Sequence, residues 1–289
     1  MSAQRASLAE AVGRLAELPG VPDAIESARA ACTSLRWHQA LRRRLLEAAA
    51  ESRVRGAHAS AELEGAPYPL EEVRAHVVGA RPWSTPTDPL ESVVRGCVQA
   101  TAESDHISAL VTRAPLQALA RLHVAAVGST PISQDVVGRP RERDERCREF
   151  TELGPAPAPS AARSRLLGVA DVLLSTRELP AVVVAAIVHA EVVTARPFER
   201  GNGIVARAFE RALLRTAGVD PTGVAVIEAG HGAQGTAGYL GALTAYQRGD
   251  AAGVGLWLHH CAGAVESGAA QGQALADAIV AGRLPESKV

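Results

Sequence analysis

The sequence predicts an all-α protein, and three observations carry that expectation. Apolar residues make up 47% of the 289-residue chain but aromatics only 3%. A core must therefore come from alanine, valine and leucine on closely packed elements, which helices supply best. Apolar residues recur at three- and four-residue spacing through several stretches, the period of an amphipathic helix. Proline and glycine bracket those stretches, where they start and stop helices. The length allows one large domain or two small ones. With no internal repeat and no second core, one helical domain is expected.

The elements follow in order. "LRWHQALRRRLLEAAAESRVRGAHASAELEG" places Leu41, Leu45, Ala48 and Ala49 at helical spacing among strong helix formers, and Gly65 with Pro67 stops the run. "YPLEEVRAHVVG" reads as a short helix and "GARPWSTPTDPL" as a Pro-rich loop. "PLESVVRGCVQATAES" and "APLQALARLHVAAVG" are two further amphipathic helices, the second opened by Pro115. From Ser129 to Ser160 charge, glycine and proline mix without a helical period, which predicts a loop with a β-hairpin. "ARSRLLGVADVLLST" is helical again. "LPAVVVAAIVHAEVVTA" is apolar for about four turns, too long for a strand and suited to a buried helix. "GIVARAFERALLRTAG" sets Ile204, Ala208 and Ala212 on one stripe beside Val205, Phe209 and Leu213, and Gly218 ends it. "TAGYLGALTAYQRGDAAGVGLWLHHCAGAVES" reads as two helices broken at "RGD".

Composition narrows the function. A net charge of −1, from 30 basic and 31 acidic residues, gives no electrostatic footprint for nucleic acid. Lys288 is the single lysine, which removes P-loop, Schiff-base and Ser-Lys chemistry together. One methionine and the Ala/Arg/Gly/Val bias fit a high-GC bacterial genome. Cys32, Cys97, Cys147 and Cys261 form no C-x-x-C pair, and a reduced cytosol is their simplest setting. The first residues carry acids and no apolar signal region, and no apolar run is long enough to span a bilayer; a cytoplasmic protein without membrane or nucleic-acid partners is expected.

"RPFERGNGIVAR", Arg196 to Arg207, is the stretch with chemistry in it. If a helix starts near Gly203, the amides of Gly201, Asn202 and Gly203 are its unpaired donors and meet the positive end of its dipole, which makes an anion site. Arg207 lies about one turn in, where a guanidinium can reach a second phosphate. The bland alternative is a tight helix connection in which the glycines only let the chain turn. "GHGAQG" matches a dinucleotide turn without the βαβ unit it needs, and "HHC", His259 to Cys261, cannot aim all three side chains one way. No metal site is expected.

On these residues the segment resembles the signature of Fic (Fido) proteins, His-Pro-Phe-x-Asp/Glu-Gly-Asn-Gly-Arg-x-x-Arg. Pro197, Phe198, Gly201, Asn202, Gly203 and Arg207 agree; Arg196 stands for the histidine, Arg200 for the metal-binding acid and Ile204 for the first arginine. "AAIVHAEVVTA" resembles the preceding helix, "YLGALTAYQRGDAAGVGLWL" the closing ones, and "VGRPRE" with "GPAPAPS" falls where the family has a flap hairpin. "SAELEG" is similar to the inhibitory motif, with Ser60 and Glu64 on one helix face. The resemblance covers roughly residues 40 to 265. It divides the chain into an N-terminal helical region (1–66), a Fic-like core (67–265) and a C-terminal tail (266–289).

The resemblance implies AMP transfer from ATP to a protein hydroxyl, with the histidine as base, the acid on Mg²⁺, the arginines on phosphate and an inhibitory glutamate pairing with the last of them. The departures work against that. A guanidinium is a poor base, Arg200 repels a metal, and Ile204 offers no hydrogen bond. Glu199, beside the lost acid, would need a one-residue loop shift. His189 lies two turns before Arg196, about 10 Å by helix rise, and reads as a buried histidine satisfied by a neighbour. The reading is thus a degenerate Fic protein without an assigned catalytic residue. Phe198, Gly201, Asn202, Gly203, Arg207, Arg196 and Arg200 would bind a phosphate, ATP or another nucleotide, Ser60 and Glu64 would regulate, and Mg²⁺ is not expected at the usual site. A transferase of altered chemistry and a non-catalytic scaffold remain the alternatives. A protein target at the flap, by strand addition, and a homodimer are the partners this reading allows.

Overall fold

Two helices that are buried on every side set the architecture, one almost wholly apolar and the other with its charged side chains paired inside the protein. The computed structural model describes residues 3–85, 88–175 and 178–283. In chain order the helices are α1 (Ala3–Ala16), α2 (Val21–Arg36), α3 (Leu41–Leu63), α4 (Leu70–Val77), α5 (Pro89–Glu103), α6 (Ser108–Val111), α7 (Pro115–Val127), α8 (Pro159–Ser175), α9 (Ala181–Ala195), α10 (Asn202–Thr216), α11 (Ile227–His231), α12 (Gly235–Gln247) and α13 (Ala251–Val280). In α9 every residue from Val182 to Ala195 except Glu191 is buried, and in α10 every residue from Asn202 to Leu214. They pack on each other as the central pair. Helices α5, α6 and α7 lie against α10, and α8, α12 and α13 against α9.

The helices predicted from the sequence are present, most within a few residues of their expected limits; α3 starts at Leu41, several residues after the stretch read as its beginning, and α13 runs about a dozen residues past its expected end. Pro115 and Pro89 sit in first turns, and Asp88 caps α5 by accepting from the amides of Leu90 and Glu91. Helices α1, α2, α6 and α11 had no reading beforehand. α2 buries Val21, Ile25, Ala28, Cys32 and Leu35 at helical spacing against α13. Residues 266–280, set apart above as a tail, are the second half of α13; residues 284–289 lie outside the described part. One apolar cluster runs from Val12 to Ile279 and joins the N-terminal helices to the rest.

The expected β-hairpin flap is not formed: among the described residues there is no strand. Residues 129–158 contain only two short 3₁₀ turns, Gln134–Val136 and Thr151–Leu153. Arg143 and Phe150 take positive φ, which interrupts extended backbone, and Pro140, Pro155 and Pro157 cannot donate to a ladder. The segment spends its hydrogen bonds on the loop between α9 and α10 instead. The Arg141 amide donates to Pro197 O at 2.7 Å, and its guanidinium to the carbonyls of Arg196, Glu145 and Pro157 at 2.8–3.0 Å.

Candidate functional site

The α9–α10 loop is held from inside by Asn202. Its Oδ1 accepts from the Phe198 amide at 3.0 Å, and its Nδ2 donates to Phe198 O at 3.0 Å. Gly201, at φ 82°, lets the chain turn into α10 with its amide and that of Asn202 facing the same way. Phe198 is buried and stacks on His123, ring centroids 4.1 Å apart. Both nitrogens of that histidine are engaged, Nε2 with Arg200 O at 3.1 Å and Nδ1 with the Gly138 amide at 2.9 Å, and burial pushes its pKa down to about 4.

The anion site predicted at the start of α10 has the right donors, and a side chain of the protein already holds them. Glu149, from the segment expected to be the flap, takes the Gly201 amide on Oε1 at 2.5 Å. Its Oε2 takes the Asn202 amide at 3.0 Å and Asn202 Nδ2 at 2.8 Å. Removal from water and the neighbouring charge of Glu64 push Glu149 up to about 7, against the pull of the three donors. Nothing in the sequence marked this residue. It is one glutamate in a charged loop, and only the chain path brings it to the helix terminus.

Arg196 explains how Glu149 is kept there. It is 1% exposed and sits in the left-handed region at φ 47°. Nη1 donates to the carbonyls of Glu149, Phe150 and Gly154 at 3.2, 3.0 and 2.9 Å, and Nη2 to Pro155 O at 3.0 Å. The residue at the expected position of a base is a clamp on the segment that carries Glu149. Its pKa is lowered by burial, yet a guanidinium keeps its proton at ordinary pH.

Glu64 and Ser60 meet Arg207, as the sequence reading expected. Arg207 Nη2 donates to Glu64 Oε1 at 2.5 Å and to Ser60 O at 3.3 Å, and Nε donates to Ser60 Oγ at 2.9 Å. Burial opposes the charge of Arg207, but Glu64 outweighs it and raises the pKa. Arg207 Nη1 is buried without a partner. In front of Gly203 the space is filled: a Cβ there would fall on Glu64 Oε1, 2.8 Å from Phe150 Cζ and 3.1 Å from Arg207 Nη1. Ile204 is buried, and Arg200 is exposed on the rim. Outside the filled cradle lies a cavity of about 320 Å³, lined by Glu64, Leu90, Val93, Thr130, Arg200 and Ile204 among others. His189 is not part of this site; it is fully buried between α9 and α10, with Glu210 and Tyr239 as partners.

Residues 110–214 match the family model described as Fic/DOC family. Over this stretch the chain is similar to Fic/DOC-family proteins. Solved Fic structures share its fold at low identity. A Fic family protein from Desulfovibrio desulfuricans is 20% identical at a TM-score of 0.65, covering 92% of this chain and 77% of that one. Fic-1 from C. elegans is 18% identical at 0.62, with 87% and 71% covered. A Fic-domain-containing signaling protein from Bacteroides thetaiotaomicron is 13% identical at 0.60, with 91% and 100% covered. No curated protein matches. Members of the Fic family often transfer AMP or other groups. Among the described residues no helix is long and apolar enough to cross a membrane.

Proposed function

We propose that this Fic domain has left histidine-based AMP transfer and works as a binding module for an anionic group, phosphate or nucleotide, kept closed by its own glutamates. The observation that carries the reading is the Glu149 carboxylate on the Gly201 and Asn202 amides, beside the unpartnered Nη1 of Arg207. A carboxylate there satisfies the same amides and dipole that a phosphate would. The cavity outside leaves room for the rest of a ligand once the carboxylate withdraws.

The transferase alternative lacks a base. Arg196 is committed to four carbonyls, His123 has both nitrogens engaged beneath Phe198, and His189 faces the interior. The magnesium ion that the family resemblance implies does not fit the residues present. Arg200 brings a guanidinium where a carboxylate ligand is needed, and both oxygens of Glu149 are taken by donors.

Calorimetric titration of inorganic phosphate and of ATP, without magnesium, into the wild type, Glu149→Gln and Glu149→Ala/Glu64→Gly tests the reading. Affinity is expected to rise at least about tenfold from the wild type to the double variant, as an internal competitor is removed. No binding in any of the three proteins, each folded by circular dichroism, overturns it. The self-filled cradle would then favour the second reading, a non-catalytic scaffold for protein contacts. In that case the partner would meet the 129–158 segment through side chains, since the described residues there form no strand whose edge it could extend.

A further inference from the structure

Behind the loop, a second polar cluster lies where α9, α10, α11, α12 and α13 meet. His189 Nδ1 is 2.6 Å from Glu210 Oε2, and His231 Nε2 is 2.7 Å from the same oxygen. All three residues are buried, and their three donor atoms lie within 4.8 Å of one another. The outer nitrogen of each ring is also held. Tyr239 Oη is 2.7 Å from His189 Nε2, and His260 Nε2 is 3.2 Å from His231 Nδ1. Buried Trp257 closes the cluster, edge-on to His189 and parallel to His231.

We propose that His189, Glu210 and His231 form a binding site for a first-row divalent cation of the zinc class. Two imidazoles and one carboxylate suit zinc, cobalt or ferrous iron, and suit magnesium and calcium poorly because those prefer oxygen ligands throughout. Both rings converge on a single carboxylate oxygen, the geometry a shared central partner produces. The outer contacts to Tyr239 and His260 are of the kind that fix the tautomer and orientation of ligating histidines. All three ligands stand on helices packed into the core, so the arrangement is held without help from loops.

The proton count balances without an added reactant. In the absence of a cation, neutral His189 and His231 each donate a ring N–H to Glu210. When the cation enters, each ring stays neutral and its proton moves to the outer nitrogen, where Tyr239 Oη and His260 Nε2 accept it. The N···O contacts widen from hydrogen-bond length to about 3.3 Å, the separation that tetrahedral arms of about 2.0–2.1 Å impose.

Expression in medium supplemented with zinc or cobalt, followed by dialysis and elemental analysis of the intact chain, tests the site. About one equivalent of metal per chain is expected in the wild type and less than about a tenth in His231→Gln, because metal retention scales with the complete ligand set. The cobalt form of the wild type should show visible d–d absorption of tetrahedral or five-coordinate intensity, which reads the ligands directly if the variant does not fold. A wild-type protein that carries less than about a tenth of an equivalent after both expressions overturns the proposal. So does metal content equal in wild type and His231→Gln. Neither result bears on phosphate at the α10 terminus, so this site and the anion site stand or fall separately.

Discussion

Glu149 and Glu210 are both carboxylates drawn into the protein, the first at the start of α10 and the second in its middle. Withdrawal from water raises the pKa of both, but the balance ends in opposite directions. Glu149 has amide donors on one side and the like charge of Glu64 on the other, and it rises to about 7. Glu210 has two imidazole partners and no acidic neighbour among its main influences, and it is held well below the usual carboxylate range. Burial alone therefore does not say whether a carboxylate is a fixed part of the core or a group that can leave. The partners decide: Glu210 is built in, while Glu149 occupies a place that another anion could take.

The largest effect expected from breaking this contrast is at Glu210. Glu210→Ala removes the acceptor of two buried ring N–H groups and opens a void, so urea denaturation should show a loss of about 3–5 kcal/mol. Glu210→Gln keeps the shape and one acceptor and should lose about half as much.

Arg196→Ala is next. Four carbonyls lose their donor, and the stability loss should be about 2–4 kcal/mol by the same measurement. The contrast sharpens if phosphate affinity rises in this variant, because the clamp on the Glu149 segment is gone. Arg196→His, which restores the family residue in name, should show the same loosening and no AMP transfer, since the missing metal ligand and Ile204 are unchanged.

The smallest expected effect is the pH slope. Glu149 keeps its proton up to about 7 in the folded protein but only to its ordinary 4.5 when unfolded, so the folded state binds more protons between these values. The contribution of Glu149 to stability should fall as pH rises from 4.5 through 7, by about 1–2 kcal/mol after allowing for the partial exposure of the residue. Around Glu149 stand the charges of Glu64 and Arg196 and the thiol of Cys147. The buried histidines His123, His189 and His260, whose folded pKa values lie below the ordinary one, add a slope of the opposite sign, so the test is a difference: between pH 5 and 8 the melting temperature of the wild type should fall relative to that of Glu149→Gln. Glu210 works with the other sign. Its contribution is present above 4.5 and is lost only as pH falls through its much lower folded value, so it adds no slope in the same range.

Much of the fold was legible because local chemistry wrote it. The period of α3, the prolines that open α5 and α7, and the unbroken apolar run of α9 each act over a turn or two, within reach of a sequence pattern. The GNG cradle was legible for the same reason, since its donors are consecutive residues at a helix start. The Ser60, Glu64 and Arg207 contact was reached through family likeness, not spacing. The flap failed as a hairpin because the pattern of glycine and proline says where a chain turns, not where its hydrogen bonds go.

The sequence by itself determined the helices, the buried central pair and a helix terminus fit for an anion, all consequences of interactions between near neighbours. Tertiary structure alone decided that Glu149 would fill that terminus, that Arg196 would hold carbonyls instead of a substrate, and that His189, Glu210 and His231 would share one point. Those groups are separated by tens of residues, and a side chain's charge state and partner depend on what the folded chain brings within a few ångströms of it.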